Sequence, residues 1–111
     1  MEQPIKDFYR RQYNWIRLPH PDPRVITNKK HPLHQIELGI SHSIFLVHNV
    51  IRAVLKRNGQ VAHEEVSRAS ETFDGIRFAL ELAENTATTA KYKHFVDETL
   101  ELLKDAATIL G

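Results

Sequence analysis

An all-α fold is predicted by three observations: long stretches whose apolar residues recur every three or four positions, very short breaks between them, and no run that alternates apolar with polar. The expected architecture is an antiparallel three-helix bundle core over about 33–57, 61–85 and 90–110. A short N-terminal helix over about 4–17 and a Pro-rich linker precede it. The chain accordingly divides into an N-terminal arm, residues 1–31, and a helical bundle domain, residues 32–111.

The arm begins with Pro4, a residue suited to the first position of a helix because its missing amide is one the helix leaves unpaired anyway. Ile5, Phe8, Tyr9, Tyr13, Trp15 and Ile16 then share one broad helical arc. Three prolines at Pro19, Pro21 and Pro23 stop the helix, since each lacks a donor and holds the residue before it extended. Pro32 marks the next start.

In the first long helix, Ile36, Ile40, Ile44, Leu46, Val47, Val50, Ile51, Val54 and Leu55 cover about half the circumference, a face wide enough for a well-buried helix. Asn58-Gly59 ends it, glycine being the residue that most easily turns the chain past a helix C-terminus. The second long helix keeps a single stripe through Ala62, Val66, Ala69, Phe73, Ile76, Leu80, Ala83 and Ala87. The Thr86–Thr89 tetrapeptide breaks the pattern, with Thr88 or Thr89 expected as the cap of the last helix. That helix carries Tyr92, Phe95, Val96, Thr99, Leu103, Ala106 and Leu110 on one side. Connections this short between helices of such length make neighbours antiparallel.

Composition bounds the function. There is no cysteine, so neither disulfides nor thiolate chemistry are open to the chain. No apolar run reads as a membrane span and the N-terminus lacks a signal-type apolar region, so a cytoplasmic protein with no membrane contact is expected. Net charge is only +1, but the charge is unevenly spread. Residues 1–60 hold ten Lys/Arg against four Asp/Glu, while residues 61–111 hold five against ten. The two halves are electrostatically complementary. Pairs such as Glu64/Arg68, Asp74/Arg77, Arg77/Glu81 and Lys93/Asp97 stand at helical spacing and read as solvated surface.

Two helices carry a second apolar seam. Leu38 and Phe45 project opposite the core stripe of the first long helix, at the angle of Arg52 and Lys56. On the second, Phe78 and Leu82 lie on the far face with Gly75, among Glu64 and Glu71. A three-helix bundle occupies one stripe per helix, and large exposed apolar patches mark interfaces. The N-terminal helix is long enough to fold over one seam, though not both. The expectation is a non-enzymatic interaction or regulatory protein that self-associates, a dimer being favoured, with Gly75 allowing close approach and opposite charges setting the register.

Chemistry has fewer footholds. Seven histidines include His31 and His34, but His63-Glu-Glu lacks the second histidine of a zinc-protease helix, and His42 and His48 point about 120° apart. No histidine has an acidic residue three positions before it, which removes the ferritin-like di-iron pattern. His20, Asp22, His31 and His34 are the one composite metal set the linker offers; no cofactor is expected. Nucleic-acid binding is the alternative function: Arg10, Arg11, Arg17, Lys29 and Lys30, with Tyr9, Tyr13 and Trp15 among them, have the composition of a backbone-contacting, base-stacking arm.

One fragment, Arg57-Asn58-Gly59-Gln60-Val61-Ala62-His63, resembles the Arg-polar-x4-His signature of HEPN domains. The resemblance implies an all-helical fold and a ribonuclease in which Arg57 and His63 cleave a phosphodiester. It departs from that pattern in placing an Asn-Gly turn between two residues that the family carries on one helix.

Overall fold

The computed structural model describes residues 3–26, 28–56 and 59–110. Among them four helices form: α1 (Gln3–Ile16), α2 (His34–Leu55), α3 (Gly59–Leu82) and α4 (Ala87–Leu110). The all-α bundle expected from periodicity is therefore present. α2, α3 and α4 pack against one another, and α1 lies along α4.

The packing of α1 is set by a narrow stripe. Phe8 and Trp15, seven residues apart, share one side of the helix and are 0% and 3% exposed, while Tyr9, Tyr13 and Ile16 remain exposed. Both buried rings belong to the same apolar cluster as Phe73, Phe95 and Leu102, so the arm completes the core. Arg11 pairs with Asp105 and, at 3.8 Å, with Glu98, while Trp15 reaches Thr99 and Phe95. Rising numbers on α1 thus meet falling numbers on α4, which fixes the two as antiparallel.

The segment after α1 is also tied down. Leu18 packs on the core, Pro21 is buried, and the His20 ring stacks on Phe95 at 5.1 Å between centroids. Asp22 accepts from the Arg24 amide at 2.9 Å and from its guanidinium at 3.1 and 2.9 Å. Those bonds hold the Asp22 carboxyl down to about 2, with the Arg24 side chain the largest cause. The proline-rich stretch is not helical, turns at Pro23-Arg24 with the Val25 amide donating to the Asp22 carbonyl at 2.9 Å, and is fastened to α4 at its start.

Helix ends lie within three residues of expectation, with α4 ending at Leu110 as expected, and three of the shifts have a local reason. α2 closes at Leu55, with the Lys56 amide donating to the Arg52 carbonyl at 3.0 Å. α3 stops at Leu82 in a tightened turn, Ala83 to Leu80 at 3.2 Å. α4 begins at Ala87 because Thr86, and not Thr88 or Thr89, is the cap: its hydroxyl accepts the Thr89 amide at 3.1 Å. Thr89 turns inward, fully buried, and donates to the Glu84 carbonyl at 2.7 Å.

Ile40, Val47, Val50, Phe73, Leu80, Phe95, Val96 and Leu103 occupy the centre of the bundle, in agreement with the periodic stripes. Leu102 joins them fully buried, although it lies outside the expected α4 stripe, because α1 widens the arc that α4 must cover. Ala87, expected on the α3 stripe, belongs to α4 and is exposed. α2 is also long and apolar enough, by length and composition, to cross a membrane, and within the fold its apolar side is the bundle core.

Candidate interaction surface

On α2, the residues buried against α3 and α4 span one broad arc from Glu37 to Val54, and Phe45 projects about 180° from its centre. Phe45 is 59% exposed. His42, Arg52 and Lys56 are exposed on the same side, and Leu38 is half-buried. On α3 the buried residues Ala62, Ala69, Phe73 and Leu80 define the inner side. Phe78 and Leu82 lie on the far side and are 65% and 74% exposed. Glu64, Arg68, Glu71 and Gly75 are exposed with them. A Cβ added at Gly75 would meet nothing within 4 Å, so the helix surface there is an open notch.

Apolar side chains this exposed have not been taken up by the fold. α1, the one element with freedom to cover a seam, packs on α4. Both seams are left uncovered, one edged by Arg52 and Lys56, the other by Glu64 and Glu71. Phe45 and Phe78 project away from the core, while Leu82, in the last turn of α3, also borders the cleft at the start of α2.

The basic residues of the arm are placed differently. Trp15 is buried and unavailable for base stacking. Arg11 is held by α4, and Arg10 lies 3.7 Å from Asp7. Arg17 folds back over Tyr13, 5.3 Å from its ring centroid, and donates to its hydroxyl at 3.0 Å. Lys29 and Lys30 are exposed in the turn before α2. The arm's cations are spread over several surfaces and are not gathered into one groove. A cleft of ≈570 Å³ between α1 and α4 contains Arg10 and Arg11 beside Asp7, Glu98 and Asp105, a mixed-charge lining.

Among the described residues no three His, Asp or Glu side chains converge as metal ligands, so His20, Asp22, His31 and His34 form no such set. Arg57 and Asn58 lie outside the described residues. His63 stands exposed on α3, which begins at Gly59, and so lies on a different helix from α2, which ends at Leu55.

Sequence reasoning did not find one polar site. Glu37 is 2% exposed on the inner side of α2 and accepts from the Tyr92 hydroxyl at 2.7 Å. Burial, then the hydrogen bond to Glu37 and its charge, push the Tyr92 hydroxyl well above the usual phenol range. Glu37 also lines a cleft of ≈470 Å³ where the start of α2, the end of α3 and the start of α4 meet, beside Leu33, Ile36 and Leu82. The available signal was the place of Glu37 between Ile36 and Ile40, on the apolar arc of α2. On α3, the expected Arg77/Glu81 pair forms, and Arg77 also bridges to Asp97 of α4 at 2.6 Å.

No protein family model, curated protein or solved structure matches this chain.

Proposed function

We propose that the protein is a non-enzymatic helical interaction module whose first partner is a second copy of itself. The observation that carries this reading is the exposure of Phe45, Phe78 and Leu82, 59%, 65% and 74%, on helix faces that point away from a core already filled by α1. Aromatic anchors flanked by polar and charged residues are the ordinary composition of an interface. Opposite charges at the two seams speed encounter and set orientation. The cytoplasm is the compartment we assign, with the apolar side of α2 committed to α3 and α4 and so withheld from a membrane.

The test is mass as a function of concentration. Light scattering and sedimentation on the wild-type chain should give the 12.9 kDa monomer at low micromolar concentration and larger species at several hundred micromolar. Phe45→Glu and Phe78→Glu should each hold the chain at monomer mass with unchanged helical circular dichroism, since both positions are on the surface. A wild-type chain that remains monomeric throughout would falsify self-association.

A further inference from the structure

Read from its N-terminal end, the outer face of α2 presents Leu38, His42, Phe45, Asn49, Arg52 and Lys56, at successive steps of 4, 3, 4, 3 and 4 residues. Read from its C-terminal end, the outer face of α3 presents Leu82, Phe78, Gly75, Glu71, Arg68 and Glu64, at the same steps. The steps average 3.6 residues, the repeat of the α-helix itself, so each set keeps to one side of its helix along its length. Because α2 is read forwards and α3 backwards, the two seams match when the helices run antiparallel.

We propose that α2 of one copy docks antiparallel on α3 of a second copy in the register that sets Leu38 over Leu82, Phe45 over Gly75 and Lys56 over Glu64. The inference rests on self-association and specifies how it occurs. In this register the apolar ends of both seams meet, with Phe78 beside Leu38 and Phe45, and the basic end of α2 meets the acidic end of α3. The Phe45 ring, 59% exposed, enters the open notch over Gly75. A parallel arrangement would set Leu38 on Glu64 and Lys56 on Leu82. Sliding by one heptad sets Phe45 on Arg68 and carries Lys56 past the start of α3, or in the other direction carries Leu38 past its end. The register proposed is the one that uses both seams in full.

Two consequences follow from the geometry. The contact joins unlike faces, so each copy in a pair keeps one seam of the opposite kind, and association continues to a chain or closes as a ring. One layer places like charges together, Arg52 over Arg68, with Glu71 and Glu64 in the layers on either side. That layer is a fault in the interface, and repairing it should strengthen binding.

The chain has no cysteine, which makes engineered disulfides unambiguous. Leu38→Cys copies mixed with Leu82→Cys copies under mild oxidation should give a mixed disulfide dimer as the main product. Leu38→Cys mixed with Glu64→Cys, the pair of the parallel arrangement, should give little. Arg68→Glu should tighten association about two- to fivefold, the size expected when a like-charge contact becomes a surface ion pair. A dominant Leu38/Glu64 crosslink, or weaker association of Arg68→Glu, overturns the register while self-association stands. Monomeric mass in every variant and in the wild type overturns both. Circular dichroism of each variant establishes that a lost contact is not a lost fold.

Discussion

The Trp15 indole nitrogen donates to the Thr99 hydroxyl at 2.7 Å, and the Thr99 hydroxyl donates in turn to the Phe95 carbonyl at 2.7 Å. This relay crosses the contact between α1 and α4 where water is excluded, Trp15 being 3% and Thr99 0% exposed. Trp15→Phe keeps most of the packing but strips the donor, leaving a Thr99 lone pair without its partner. Destabilisation of about 1–3 kcal/mol is expected in urea unfolding, and Trp15→Ala should cost about 3–5 kcal/mol. A Trp15→Phe midpoint equal to wild type would show that the bond contributes nothing net.

Glu37 and Tyr92 form a second buried contact, this one between α2 and α4. Tyr92→Phe removes a hydrogen bond to a carboxyl group in an apolar setting and should cost about 1.5–3 kcal/mol. The raised hydroxyl also sets an alkaline limit. Native Tyr92 keeps its proton where the unfolded phenol loses it, so its contribution is complete below about pH 10 and is lost as pH rises beyond. Denaturation midpoints measured on both sides of that value should fall for wild type and fall less for Tyr92→Phe; parallel slopes refute the assignment.

At the acid end the relevant group is His48. Its ring meets Trp15 edge-on at 5.4 Å, and its proton affinity is lowered first by partial burial, then by Arg52 and His20. The unfolded imidazole takes up a proton below about pH 6.5 while the native one resists, so stability is complete above that pH and declines as pH falls through it. His48→Gln should flatten part of this decline between neutral pH and about pH 5. An unaltered profile would place the acid sensitivity elsewhere.

Two glycines inside helices separate folding from association. Gly75→Ala adds a methyl group where nothing stands within 4 Å, and should stabilise the monomer by about 0.5–1 kcal/mol through helix propensity. In the proposed register the same methyl fills the notch that receives Phe45, so association should weaken. Gly39→Ala meets Ile76 at 3.8 Å, an ordinary contact, and should stabilise the monomer similarly. Lying between α2 and α3 of the same chain, it should leave association unchanged. Equal effects of both variants on association would remove Gly75 from the interface.

Periodicity was a sound guide wherever a side chain's fate depends on its own helix. The stripes through Val47, Val50, Phe73, Leu80, Phe95 and Leu103 are buried because a helix places every third or fourth residue on one side, whatever it packs against. The same geometry exposed Phe45 and Phe78 as outliers before any fold was known. Turn chemistry was legible too, although Thr86 rather than its neighbours caps α4, a choice made by which hydroxyl reaches the Thr89 amide.

Long-range partnership was not legible. In the arm, six apolar residues share one arc, and only contact with α4 separates Phe8 and Trp15, which are buried, from Tyr9, Tyr13 and Ile16, which are not. Glu37 falls on the apolar arc of α2 by spacing, but its partner Tyr92, 55 residues away, is supplied only by the fold. The seams on α2 and α3 were written locally, as spacing along single helices. That α1 would choose α4 and leave both uncovered was decided by tertiary packing, because burying Phe8 and Trp15 against Phe95 and Thr99 satisfies apolar area and a hydrogen bond together, which neither seam offers. Helical spacing thus determined which faces could be apolar; the competition among those faces for a limited number of partners determined which of them stayed exposed.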